Sequence, residues 1–433
     1  MKQVLFIAYY FPPSGGPGVQ RSLKFVRYLP TYGWMPTVLT VDPAYAAFPA
    51  IDPSLIAEVP PEVEIHRTRA FNPLELYARF TGRKDQTVTV GTLHEATTPK
   101  ERLMQWLRAN LFIPDARIGW NRPALQKALN VIHSRPFDAI ITTSPPHSTH
   151  LIGLKLHQKT GIPWLADFRD PWTDISYYHT LPHTRLAHWW DAKLESKVLN
   201  GADLVTMVSP YYLRQMQERM QHPERMHLLS NGFDPNDFPP MPHIPTKKEQ
   251  FTLAYTGSLF VNPSGLWQAI ADIRRDWPTI RLQFTGRTDE RVLADMHKKH
   301  IDDILIQQPY VAHEEALLCM QTADALLLVI EEKAGTEGIL TGKLFEYLAT
   351  GKPILAIGPP NGDAAKVLRA AGAGEMISHQ DVAAIRNRIE TLLSDSDRSS
   401  VRPYPQNFTR QRLTQNLASL LDGLPLTGSR NSA

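Results

Sequence analysis

The chain alternates short apolar runs with helix-length amphipathic stretches from one end to the other, and few architectures satisfy that pattern. The segments 4–9, 37–41, 63–67, 139–143, 164–167, 204–208 and 226–229 read as strands. Helical patterns over 19–29, 124–133, 149–158, 187–199 and 211–220 lie between several of them. Runs that are apolar on both faces, separated by helices, predict a parallel sheet covered on both sides.

The alternation breaks once. Residues 236–245 read NDFPPMPHIP. So much proline removes the backbone donors and imposes the dihedrals that a helix or inner strand cannot accept. Beyond it the pattern restarts, with strands over 251–256, 281–285, 304–307, 325–330 and 353–357. Helical stretches over 266–275, 290–298, 314–321, 343–350 and 364–371 lie between them. With 433 residues the chain has room for two such domains. The expected division is a Rossmann-like domain over 1–240, a linker over 241–250 and a second such domain over 251–405. A helix over 406–422 would cross back to the first domain, and 423–433 would be a flexible tail. Leu413, Leu417, Leu420 and Leu421 give that last helix one apolar face.

Composition narrows the function. A net charge of +3 is too mild to argue for nucleic acid. The single Cys319 excludes a disulfide framework and a multi-cysteine zinc site, and its apolar neighbours predict core packing. No run of about 18 apolar residues stands ready to span a membrane. The opening residues lead into Tyr-Tyr-Phe-Pro-Pro without a cleavage site, so they read as a first strand and the expected location is the cytoplasm. Residues 72–120 carry little strand signal. Within them 101–113 set Leu103, Met104, Trp106, Leu107 and Leu111 beside Arg102 and Arg108. Two readings stand: an insertion packed on the sheet, or a basic amphipathic helix at the inner face of the plasma membrane.

Three loops carry chemistry. Gly15, Gly16 and Gly18 lie where the first strand turns into the first helix, where backbone N–H groups can approach an anion. Thr142 to His150 reads TTSPPHSTH at another strand end. The next strand ends in Asp167-Phe168-Arg169-Asp170-Pro171-Trp172, two carboxylates and a guanidinium able to orient hydroxyls and a phosphate, or simply to cap a loop. In the second half, Gly335 to Pro353 reads GTEGILTGKLFEYLATGKP. There a glycine turn opens a helix whose positive end would face a diphosphate, with Lys343 in its first turn and Glu346 able to accept ribose hydroxyls.

Those residues resemble the retaining GT-B glycosyltransferases of glycosyltransferase family 4. KLFEYLATGKPILA is similar to the donor-site helix of that family, and SPPHSTH with DFRDPW resembles a subgroup of bacterial surface-polysaccharide assembly. The resemblance implies two doubly wound Rossmann-like domains facing each other across a cleft. It implies a ribose role for Glu346 and a donor-sugar role for Glu337. The family usually leaves seven residues between that pair, and eight stand here. Gly338, Thr341 and Gly342 would meet the diphosphate, Tyr310 the nucleobase, and Gly16 the donor phosphate. An Arg and a Lys common after the Tyr255-Thr256-Gly257 turn are replaced from Ser258 onward, which makes Arg287 and Lys343 the expected diphosphate cations. Arg169 stands where the family often has a His, so His147 is the candidate to take its part with Asp167 and Asp170.

The implied reaction is transfer of a hexose-type sugar from a nucleoside diphosphate, UDP or GDP, to a glycan or lipid-linked acceptor hydroxyl with retention. No tightly bound cofactor, required metal or nucleic-acid partner is expected. Two other readings keep the fold: a nucleotide-sugar epimerase, and an inactive scaffold of an assembly complex.

Overall fold

The computed structural model describes residues 1–71, 99–175, 178–238, 250–394 and 402–424. The expected linker at 241–250 lies, except for Gln250, outside the described residues, as does the tail from 425 onward. The chain divides into two compact units, Met1–Ser230 with Arg410–Ala433, and Asn231–Thr409.

In the first unit β1 (Lys2–Ile7), β2 (Trp34–Val41), β3 (Glu64–Thr68), β4 (Ala139–Thr143), β5 (Trp164–Phe168), β6 (Leu204–Met207) and β7 (Met226–Leu228) form one sheet. Its order is β3-β2-β1-β4-β5-β6-β7, and every neighbouring pair is parallel. The helices are α1 (Pro17–Tyr28), α2 (Pro99–Leu111), α3 (Asn121–Ser134), α4 (Ser148–Thr160), α5 (Arg185–Gly201) and α6 (Pro210–Gln217). One face of β1 and β4 buries Leu5, Ile7 and Ile140 with Trp120, Ala124 and Trp164. The other buries Val4, Phe6 and Ile141 with Phe25, Val26, Leu413 and Leu417. Both faces are therefore dry, which is why these strands are apolar at consecutive positions. The helix α4 packs very close to the sheet: a Cβ on Gly153 would lie 2.4 Å from the Trp164 indole nitrogen. Only glycine fits there.

In the second unit β8 (Phe251–Thr256), β9 (Ile280–Thr285), β10 (Leu305–Gln308), β11 (Ala325–Val329), β12 (Ile354–Ile357) and β13 (Met376–Ile377) form a parallel sheet in the order β10-β9-β8-β11-β12-β13. Its helices are α7 (Ser264–Ile273), α8 (Glu290–Lys298), α9 (His313–Thr322), α10 (Gly342–Thr350), α11 (Asp363–Ala370) and α12 (Val382–Leu393). Gly351, at φ +67°, stops α10 with its N–H on the Leu348 carbonyl, a left-handed cap that a side chain would strain. The last helix, α13 (Arg410–Asp422), buries Leu413, Leu417 and Leu421 in the core of the first unit.

Both sheets reverse direction once, between β1 and β4 in the first and between β8 and β11 in the second. In open α/β sheets ligands bind outside the strand carboxyl ends at such a reversal. Cys319, expected in a core, is only half-buried and places its sulfur 3.7 Å from the Gln308 amide oxygen. The helical turn that carries it lies at the edge of the unit beside β10.

Candidate functional site

At the reversal of the first sheet, the ends of β1, β4 and β5 gather the glycine loop, the His147 segment and Asp167 to Asp170. Gly16 has φ +90° and caps α1, with Pro17 in the first turn. Gly15 donates to the Ala50 carbonyl at 2.9 Å, which pins the loop.

Asp167 does not face outward as a hydroxyl-orienting carboxylate. It is buried, and Arg21 of α1 grips both of its oxygens at 2.7 and 3.0 Å. Thr143 donates at 2.8 Å and Thr206 at 2.7 Å. Burial alone would raise its pKa. The Arg21 charge and the hydrogen bonds of Arg21, Thr206 and Thr143 outweigh that and hold it at about 2. Arg21 also donates to the Ser230 and Leu229 carbonyls at 2.7 and 2.9 Å, so this pair ties the ends of β5, β6 and β7 to α1.

Arg169 is buried as well and donates to the carbonyls of Ser144, Gly18 and Pro145. Its guanidinium is thus occupied in joining three loops, and the expected phosphate role does not match that arrangement. Burial lowers its pKa, against the opposing charges of Asp170 and Asp167. Burial raises that of Asp170, with Arg169 pulling it down.

His147 sits at the amino end of α4 and stacks on Trp172 at 5.2 Å and 12°. Neither of its ring nitrogens has a hydrogen-bond partner within the protein. Burial, then Arg169, pushes its pKa down to about 3, so it is a neutral imidazole that can donate from one nitrogen and accept at the other. The Ser144 and Thr149 hydroxyls nearby in sequence are buried without a partner too. Asp115 already caps α4 through Ser148, accepting from its N–H at 2.8 Å and its hydroxyl at 2.9 Å.

At the reversal of the second sheet, backbone meets backbone. Gly257 has φ +93° and Gly286 φ +120°, and a Cβ on Gly286 would lie 2.5 Å from the Gly257 carbonyl oxygen. A Cβ on Gly257 would lie 3.5 Å from the Lys343 ammonium nitrogen. That ammonium sits 3.7 Å from the centroid of the Tyr255 ring, a cation–π contact at short range. Burial lowers the Lys343 pKa to about 7, against the pull of Glu346. Arg287 is exposed, with its guanidinium carbon 5.9 Å from the Phe260 ring centroid and its carbonyl accepting from Leu259 at 2.8 Å. Tyr310 is exposed in the loop between β10 and α9.

The segment before α10 is held by the Thr336 hydroxyl, which donates to the Lys333 carbonyl at 2.6 Å, and by the Glu337 carbonyl, which accepts from Asp363 at 2.7 Å. It brings Gly338, Thr341 and Gly342 to the amino end of α10. Thr341 is the N-cap but does not spend its hydroxyl on capping. That hydroxyl oxygen and one oxygen of Glu337 are buried with no partner within the protein. Since buried polar atoms are normally bonded, an orphaned hydroxyl at a helix amino end and an orphaned carboxylate oxygen in the loop leading into it suit a ligand that brings both anionic oxygens and hydroxyls. One turn on, Glu346 is bonded to the imidazole of His313 at 3.0 Å. Among the described residues no group of three or more His, Cys, Asp or Glu is arranged to hold a metal ion.

Comparison with known proteins adds to this geometry. The profile of Glycosyltransferase Family 4 matches residues 74–237. Sucrose-phosphate synthase from Thermosynechococcus elongatus superposes with a TM-score of 0.59 at 16% identity, covering 98% of this chain and 95% of that one. Anabaena Alr3699/HepE in complex with UDP and glucose gives 0.58 at 14% identity, covering 97% and 95%. WaaG, a glycosyltransferase involved in lipopolysaccharide biosynthesis, gives 0.54 at 15%, covering 97% and 95%. No curated protein matches by sequence. The chain has the GT-B fold, and part of it matches a glycosyltransferase family.

The family match lies almost wholly within the first unit, whereas most of the motifs that carry the resemblance, Asn231–Asp234, Tyr255–Leu259 and Glu337–Pro353, lie in the second, with the Gly15–Gly18 loop in the first. Sequence reasoning missed Arg21, His313 and the Tyr255 ring face. One signal for Arg21 was present: a cation four residues before Phe25 on the buried face of a helix, where its guanidinium now stands 4.8 Å from that ring. The 101–113 region forms α2 and its C-terminal flank, with Leu103, Trp106 and Leu111 exposed. Among the described residues no helix is long and apolar enough to cross a membrane.

Proposed function

We propose that this GT-B protein transfers a hexose-type sugar from a nucleoside-diphosphate-sugar to an acceptor hydroxyl with retention of configuration, in the assembly of a bacterial polysaccharide or glycolipid. The observation that carries the proposal is the amino end of α10, where the Thr341 N-cap keeps an orphaned hydroxyl and the first turns carry Lys343, its ammonium near Gly257, and Glu346, with an orphaned Glu337 oxygen in the loop before the helix. In this reading Gly338, Thr341 and Gly342 meet the diphosphate at the positive end of the helix, and Lys343 with Arg287 supplies the countercharge. Glu346 accepts the ribose hydroxyls and Glu337 those of the donor sugar. Charge develops on the diphosphate as the glycosidic bond breaks, and fixed donors aimed at that charge lower the barrier without reorganising.

In the first unit His147 is the residue suited to an acceptor or sugar hydroxyl, because its ring is fixed by Trp172 while its nitrogens remain unbonded within the protein. Asp167 and Arg169 act as positioning residues that hold the loops of β4 and β5. The UDP and glucose in the Anabaena complex support a uridine donor, with GDP the second candidate. The lipopolysaccharide role of WaaG supports a glycan or lipid-linked acceptor.

The test is thermal shift of the purified chain with UDP, GDP, ADP and TDP. Stabilisation by one of them that scales with concentration, as linkage requires, supports the donor site and names the nucleotide. Absence of any shift at saturating ligand overturns the assignment and leaves the inactive-scaffold reading.

A further inference from the structure

The outer face of α5 belongs to no part of the donor site. Leu186, Trp189, Trp190, Lys193 and Lys197 recur at helical spacing on one stripe, and all are exposed, Leu186 at 72% and Trp189 at 53%. The opposite stripe buries Ala187, Asp191, Glu195, Val198 and Leu199. Both acidic residues of α5 therefore point inward, and its outward charges, Arg185, Lys193 and Lys197, are all positive. The Lys193 ammonium lies 4.7 Å from the Trp189 ring centroid, and that of Lys197 lies 5.9 Å from the Trp190 centroid. Each lysine thus lays its stem along an indole and carries its charge to the rim.

A second helix adjoins this face. The Asn110 amide of α2 donates to the Pro182 carbonyl at 2.9 Å and accepts from the Thr184 N–H at 2.7 Å, and Thr184 is the N-cap of α5. That tie sets Leu111 of α2, next to Asn110 in the chain and exposed, beside the start of α5.

We propose that this face is a docking surface for an anionic lipid bilayer. Trp189, Trp190, Leu186 and Leu111 would enter the headgroup boundary, while Arg185, Lys193 and Lys197 pair with lipid phosphates. Charge complementarity selects this occupant. Protein-interface cores are depleted of lysine, whereas paired tryptophans edged by lysines are the composition of the membrane–water interface. With a net charge of only +3 for the whole chain, the concentration of like charge on one helix face is local. The proposal deepens the lipid-linked part of the functional reading and is independent of the nucleotide site.

The experiment is co-sedimentation of the full chain with vesicles of phosphatidylcholine alone, or of equal parts phosphatidylcholine and phosphatidylglycerol. Binding is expected only to the anionic vesicles and should weaken with salt. The pair Trp189→Ala with Trp190→Ala, and separately Lys193→Gln with Lys197→Gln, should each lower the partition coefficient by about tenfold or more. Both variants should keep the thermal unfolding of the parent, since the side chains lie outside the core. A nucleotide-induced shift that persists in both variants separates this surface from the donor site. No binding of the parent to anionic vesicles, or binding that both variants retain, overturns the proposal. So does a self-associated species in sedimentation equilibrium that the tryptophan variant dissolves, because the face would then be a protein interface.

Discussion

Lys343 holds its ammonium nitrogen 3.7 Å from the centroid of the Tyr255 ring. The ring offers negative electrostatic potential but no proton acceptor of carboxylate strength. Burial therefore dominates and brings the lysine to about 7. A diphosphate binds the charged form, so binding must raise that value. At pH 6 the lysine is already protonated and binding takes up little; at pH 8 it is mostly neutral and binding takes up close to one proton. Calorimetry with the cognate nucleoside diphosphate in buffers of different ionisation enthalpy should detect that uptake. Lys343→Met should abolish it and weaken binding by roughly tenfold to a hundredfold, the worth of a hydrogen bond to a charged group. Unchanged uptake in the variant would assign the proton elsewhere.

Glu346 is fixed by His313 at 3.0 Å. If the carboxylate receives the ribose hydroxyls, the imidazole acts through it. Glu346→Ala should weaken nucleotide binding by tenfold or more, with the unfolding transition retained. His313→Ala should cost less. The double variant should be no weaker than Glu346→Ala alone, because the two act as one unit. Additive losses would show that His313 contacts the ligand independently. Titration of the three variants with the same nucleotide decides between these outcomes.

The Arg21–Asp167 pair is a stability element. Removing one partner strands a buried charge, so Asp167→Ala should cost roughly 3–5 kcal/mol, measured by urea unfolding. The carboxyl is held at about 2, below its ordinary value of 3.8. The folded state thus binds the proton more weakly than the unfolded chain. Its contribution is complete above about pH 4 and is lost as pH falls toward 2. Replacing Arg21 and Asp167 together by Met and Leu should recover part of the loss. A double variant no more stable than Asp167→Ala would argue that the threonine bonds, not the ion pair, carry the knot.

Much of this architecture is legible before any coordinates. The strands Ala139–Thr143 and Phe251–Thr256 and the helix Glu290–Lys298 have the same bounds in sequence and structure, because their apolar runs end at clear polar or glycine boundaries. The helix Val382–Leu393 was overlooked although Ile385, Ile389 and Leu392 recur at helical spacing and pack on α7. The strand Met376–Ile377, at two residues, is too short to carry periodicity. The site is less legible. Arg21 and Asp167 are 146 positions apart, and their pairing follows only once β1, β4 and β5 are known to be neighbours. Composition at the end of β5 suggested three charged groups facing a ligand, but two of them are spent on Arg21 and on backbone carbonyls. The motif at α10 was readable because all its parts, from Glu337 to Glu346, lie within one loop and one helix.

Asp191 gives a prediction of opposite sign. It accepts a hydrogen bond from the Trp172 indole at 2.7 Å. Burial raises its pKa to about 6, while the bonds from Trp172 and Tyr178 pull it down. A carboxyl whose folded value exceeds its unfolded one holds its proton more tightly when folded. Its stabilisation is complete below about pH 4 and declines as pH rises through 6. Asp191→Asn keeps an acceptor for Trp172 and removes the charge. It should raise stability at pH 8 by up to about 3 kcal/mol and leave it unchanged near pH 4, as urea titrations at the two values would record. Asp191→Ala instead strands the indole N–H, and because Trp172 stacks on His147, it should loosen the imidazole and reduce sugar transfer even where the fold survives. Equal stability of the parent and Asp191→Asn at both pH values would mean that folding leaves the affinity of the carboxyl for its proton unchanged, and would overturn the raised value.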